Sequence, residues 1–166
     1  MRKLIPTVLV LGVMWLIPAM AAETPRVAVF DFELIDTSLE GEVRGVRADE
    51  QKRLGMISDQ LRDLLTKSDR YVVVDHSPAT GRIDEAGHLH GCNGCEAKIA
   101  RDLGADLAMT GTVQKVSNLI LNINLYVRDA ASGEPLRSMS VDIRGNTDQS
   151  WSRGLSYLVR NRLLSE

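Results

Sequence analysis

Residues 91–127 read GCNGCEAKIARDLGADLAMTGTVQKVSNLILNINLYV, a stretch that holds both cysteines of the chain, a short helix, its glycine stop and the longest alternating strand pattern. From Cys95, the spacing Cys95, Ile99, Leu103 marks one face of a helix. Gly104 ends it, because glycine enters the left-handed conformation of a helix stop without steric cost. Two strands follow over 107–116 and 119–127, joined by a turn at Ser117-Asn118. In the second strand Leu119, Leu121, Ile123, Leu125 and Val127 face one way, and Asn122, Asn124, Tyr126 and Arg128 the other. That alternation describes an antiparallel strand with one face in the core and one in solvent.

Downstream, residues 129–135 (DAASGEP) have turn chemistry, and Met139, Val141 and Ile143 against Ser138, Ser140, Asp142 and Arg144 predict a third strand over 138–144. Trp151, Leu155, Leu158, Val159 and Leu163 form one stripe of a final helix over 150–164. Upstream, RVAVFDFEL at 26–34 predicts a central strand, with Val27 and Val29 on one side and Ala28, Phe30 and Phe32 on the other. Residues 35–48 turn polar and read as a mobile loop. Leu54, Ile57, Leu61, Leu64 and Leu65 then predict an amphipathic helix over 49–66, with Asp49 as its cap. Residues 71–75 (YVVVD) predict a second buried strand, parallel to the first. Residues 76–91 have no period and read as a loop, with one helical turn at 83–86.

The order is β-α-β-(loop)-α-β-β-β-α, an α/β (α+β) fold: a mixed sheet, helices packed on it, and the polar face of the last three strands partly open. The first residues add an address. Arg2 and Lys3 precede an apolar segment and small residues at 19–22, the pattern of a secretory signal peptide cleaved after Ala21. Residues 22–166 would then form a single exported periplasmic domain, with no membrane span left after cleavage. A net charge of -2, with both signs interspersed, argues against a nucleic-acid partner.

The segments VAVFDFEL, YVVVD and ARDLGADLAMTGTV together resemble the TolB amino-terminal domain and the related CsgG-like periplasmic domains. In those domains a VAV-x-x-F strand and a GAD-x-x-x-x-G-x-V strand share one sheet. GTVQKVSNLILNINLYVRD and DIRGNTDQSWSRG resemble an uncharacterised bacterial family of secreted proteins, a domain of unknown function. The resemblance implies binding and assembly work at the cell envelope with another envelope protein as partner, and brings no enzyme mechanism.

Three readings compete for the cysteines. In an oxidising compartment Cys92 and Cys95 form a structural disulfide. Alternatively, Cys92-x-x-Cys95 at a helix start lowers the pKa of Cys92 for thiol-disulfide exchange, the one enzymatic activity considered. In the third reading His88, His90, Cys92 and Cys95 ligate zinc or copper, the only cofactors the sequence suggests. Arg144, Asn146 and Thr147 lie before the last helix, where amide, hydroxyl and backbone N–H groups could hold an anion or a partner; the plainer reading there is helix capping by Thr147 or Asp148. Asn122 and Asn124 are candidate partner contacts on the open sheet face.

Overall fold

The computed structural model describes residues 23–165. The expected signal peptide, residues 1–21, lies outside them. The elements in order are β1 (Arg26–Val29), β2 (Glu33–Asp36), α1 (Leu39–Arg44), α2 (Ala48–Lys67), β3 (Val72–Val74), α3 (Thr80–Ala86), α4 (Cys95–Asp102), β4 (Leu107–Lys115), β5 (Ile120–Asp129), β6 (Pro135–Arg144) and α5 (Asp148–Leu158). Short 3-10 turns flank α3 at Ser77–Ala79 and Leu89–Gly91, and α5 continues into a π turn, Val159–Leu163.

The strands form one mixed sheet in the order β3-β1-β4-β5-β6, with β2 taking over from β1 beside β4. β1 is parallel to β3 and β4, β2 is parallel to β4, and β4, β5 and β6 form an antiparallel meander. The expected α+β layout with helices on a mixed sheet is therefore the observed one. β3 departs from its reading: it is an edge strand with Val72 exposed, because β1 flanks it on one side only.

Helices α2 and α5 cover one face. Leu54, Ile57, Leu61 and Leu65 meet Trp151, Leu155 and Leu158 over Val27, Val29, Met109, Val113, Leu121, Ile123 and Leu125. Each such aliphatic side chain, fully buried, contributes roughly 1.5–3 kcal/mol. On the other face, α3, α4 and the 3-10 turns cover a smaller core that includes Ala28, Phe30, Ala108 and Ala130, with Val74 packed against it. Among the described residues no helix lies over the second face of β6, where Ser138, Ser140 and Asp142 are exposed.

One irregularity sets the rest of the geometry. Val29 pairs with Met109 and Glu33 with Thr112, so β1–β2 takes four steps where β4 takes three. The extra residue reverses the inside–outside alternation. Phe32 therefore joins Val27 and Val29 on the α2 side instead of facing the other way with Phe30, correcting the sequence expectation. α2 satisfies the interrupted backbone: Ser58 Oγ accepts from Phe32 N–H at 2.9 Å, and Arg62 donates to Val29 C=O at 3.2 Å. Beneath, Gly111 leaves room for the Phe32 ring, which a Cβ at position 111 would meet at 2.2 Å.

Residues 35–48 are not a loop. β2 runs on to Asp36 and α1 follows from Leu39, capped by Ser38, whose hydroxyl accepts from Gly41 N–H at 3.1 Å. α2 begins after Arg47, so Asp49 is not its cap; the Asp49 carboxylate accepts from Arg47 and Arg53.

Candidate functional site

The extra residue between β1 and β2 aims two acids at opposite faces. Asp36 points to the α2 side and Glu33 to the α4 side, and each becomes part of a polar cluster.

On the α2 side, Lys115 stands at the end of the core-facing row Met109, Gly111, Val113, where its ammonium is withdrawn from water. It donates to Glu50 at 2.7 Å, Asp36 at 3.2 Å and Glu40 at 3.3 Å. Burial opposes the charge on Lys115, but these acceptors outweigh it and raise its pKa. Burial likewise pushes Asp36 up, while the Ser38 hydroxyl and N–H and the Lys115 ammonium pull it below the usual carboxylate range. Glu40 is lowered by hydrogen bonds from Asn118 and Lys115. Asn146 extends the cluster. Its amide donates to Glu50 at 2.6 Å and to Asn118 at 3.1 Å, and its carbonyl accepts from Trp151 Nε1 at 3.0 Å and Arg53 at 3.3 Å. Glu50 Oε2 is buried without a partner among the described residues.

This cluster locks α1 to the β4–β5 turn through Glu40 and Asn118, 2.8 Å apart. Those two segments carry exposed apolar side chains beside Glu42, Arg44 and Asn118. Of the nine exposed large hydrophobic residues described, six fall within residues 39–46 and 116–120: Leu39, Val43, Val46, Val116, Leu119 and Ile120. The sequence reading passed over this end, because its acids and arginines resemble a solvated loop. The available signal was Lys115 and Glu50 standing in register with apolar rows, Glu50 one helical turn before Leu54.

On the α4 side, Cys92 and Cys95 are joined as a disulfide, Cα atoms 5.6 Å apart. α4 starts at Cys95 and not at Cys92, with Gly94 in the left-handed conformation at its cap. Glu96 is buried beside the disulfide and pairs with Arg128 at 2.7 Å. His88, His90, Cys92 and Cys95 do not converge as one set. The histidines gather with Glu33, and the sulfurs with Glu96.

The remaining candidates are held within the fold. Thr147 caps α5 in a capping box with Ser150, and Asn146 belongs to the Glu50 cluster. Arg144 is exposed at the end of β6 and lines a groove of about 540 Å³ with Arg153 and Tyr157. Asn122 donates to Asp142 at 2.7 Å and Asn124 to Thr112 at 3.3 Å, cross-strand bonds on the open face. No helix among the described residues is long and apolar enough to cross a membrane.

Solved structures share this fold. The LpoB C-terminal domain from Salmonella enterica superposes with a TM-score of 0.53 at 14% identity, over 76% of this chain and 87% of that one. Lipoprotein GNA1162 from Neisseria meningitidis gives 0.52 at 16% identity, over 86% and 98%. The PelC dodecamer from Paraburkholderia phytofirmans gives 0.50 at 10% identity, over 84% and 87%. No curated protein sequence matches the chain. The family model DUF3280, described as "Protein of unknown function (DUF2380)", matches residues 25–163 and so takes in every strand and helix above; the chain belongs to that family.

Proposed function

We propose that this protein is a non-enzymatic binding module of the bacterial cell envelope, exported by residues 1–21, that docks its apolar end on another envelope protein. The observation that carries this reading is the concentration of exposed hydrophobic residues on α1 and the β4–β5 turn. Contiguous apolar surface on a small domain marks an interaction site. The buried Lys115 cluster supports it by holding both segments in one arrangement before any partner arrives, which lowers the ordering cost of binding. The described chain enters at the opposite end of the sheet, where Arg26 N–H bonds Asp106 at 2.8 Å. The length of β4, roughly 3.3 Å per residue, separates that entry from the apolar end.

Three further points support the envelope setting. One neighbour in fold, GNA1162 from Neisseria meningitidis, is a lipoprotein. The VAV strand and the GAD-x-x-x-x-G-x-V strand lie side by side, Val27 against Leu107, which agrees with the TolB and CsgG-like layout. The Cys92–Cys95 disulfide acts as a structural clip in a compartment that maintains such bonds.

The test is photocrosslinking in intact cells from a probe residue at Val43 or Leu119, with Lys67 at the far end of α2 as control. A discrete protein adduct from the first two positions and none from the third is expected, lost in V43E/L119E without a change in Tm. Equal labelling from all three positions, or adducts to phospholipid alone, would overturn the docking assignment.

A further inference from the structure

We infer that Glu33, His88 and His90 form a binding site for a divalent transition-metal ion, distinct from the apolar end and from the cysteine pair. Two imidazoles and one carboxylate present donor atoms within 4.8 Å of one another. The His88 Nδ1 atom lies 3.8 Å from Glu33 Oε2, and His90 Nδ1 contacts the same oxygen. The two rings lie with centroids 5.8 Å apart and tilted by 56°, beside each other without stacking.

The set is built from both sides. The extra residue between β1 and β2 turns Glu33 toward the 3-10 turn, where its Oε1 accepts from Leu89 N–H at 2.6 Å. That bond fixes the carboxylate and leaves Oε2 to the histidines. Leu89 itself is buried in the second core, which fixes the backbone between the two ligands. Two residues after His90, the disulfide closes the same segment onto α4. A metal site needs this outer support to hold its ligands in position. His88 is 78% exposed in its side chain, so an ion can enter and a water can complete the coordination. Two imidazoles with one carboxylate suit Zn(II), Cu(II) or Ni(II), and carry too little hard-oxygen character for Ca(II) or Mg(II). The disulfide takes no part as a ligand, because thiolates bind these metals and a disulfide presents none.

The experiment is calorimetric titration of the oxidised, tag-free protein with Zn(II) and Cu(II) in a non-coordinating buffer, with Mg(II) as control. Saturable uptake of one transition-metal ion per chain is expected, with no response to Mg(II). Because Glu33→Gln also disturbs the bond to Leu89, His88→Ala is the decisive variant: its exposed ring carries no core contact. It should fold as the parent does and bind roughly tenfold or more weakly. C92S/C95S should still bind one ion, weakened by about tenfold through the loss of that outer support, and the Cu(II)-loaded protein should show nitrogen hyperfine splitting that His88→Ala reduces. Unsaturable uptake, undiminished affinity in His88→Ala, or loss of binding in C92S/C95S alone would overturn the assignment.

Discussion

Lys115 Nζ lies 2.7 Å from Glu50 Oε1 with both side chains sealed from solvent, so neither charge has water to fall back on. Removing one member of a buried pair strands the other, and here three carboxylates share the one ammonium. Lys115→Ala is expected to cost about 3–5 kcal/mol in urea denaturation. A loss below about 1 kcal/mol, the level of an exposed pair, would mean that the cluster is open to water.

The same cluster predicts the pH dependence. Asp36 and Glu40 are held below their usual values, and Asp49 is drawn down to about 2, first by the Arg47 hydrogen bonds and then by Arg53. Carboxylates lowered on folding contribute stability that is complete above their unfolded values and is lost as pH falls through the folded ones. Lys115 is raised, so its contribution is complete below the unfolded value of 10.5 and is lost as pH rises through the folded one. Thermal melts should therefore show a plateau between about pH 5 and pH 10 with a decline on each side. In Lys115→Met the acid limb should change sign toward pH 4, since protonation relieves repulsion among acids that have lost their cation.

Ser58 is a hydroxyl in the middle of α2 whose oxygen takes the Phe32 N–H, 2.9 Å away in the core. Ser58→Ala leaves that donor unsatisfied and should cost about 1–3 kcal/mol. Hydrogen exchange gives the site-specific readout: Phe32 N–H should lose protection in the variant while the amides of β5 keep theirs.

Gly111→Ala places a methyl group 2.2 Å from Phe32 Cε1, at a position where the β4 backbone is held by its pairing with Leu125 of β5. Destabilisation of about 1–3 kcal/mol is expected from overpacking. Phe32→Leu combined with it should recover part of the loss, whereas the two changes would simply add if the clash lay elsewhere.

The ring closed by Cys92 and Cys95 is short, with a sequence separation of 3. Chain entropy limits its contribution to about 2 kcal/mol, so the reduced protein should remain folded with a lower Tm. Unfolding on reduction would assign the bond a larger part in the second core than its loop length allows.

Much of the fold could be read from periodicity, and the exceptions have particular causes. Trp151, Leu155, Leu158, Val159 and Leu163 are all buried, as their spacing predicts. Leu121, Ile123, Leu125 and Val127 are buried too, but Leu119, continuing the same alternation, is exposed because the strand begins only at Ile120. Phe32 changed sides because an extra residue leaves no mark on a run that is apolar on both faces. β2 and α1 were hidden because Asp36 and Glu40 are satisfied by Lys115 from across the chain, a pairing that local composition does not contain. For the histidines, spacing pointed to the cysteines as fellow ligands, whereas the third donor, Glu33, is 55 residues before His88 and is brought there by the sheet.

The four-against-three step between Val29 and Glu33 places both polar clusters under one genetic address. Were the strand to run on without the extra step, Glu33 would stand opposite Val113 instead of Thr112 and turn away from His90, and Asp36 would turn away from Lys115, with neither set of residues altered. The two faces of this protein can drift independently by substitution, but a change of register at that point edits them together.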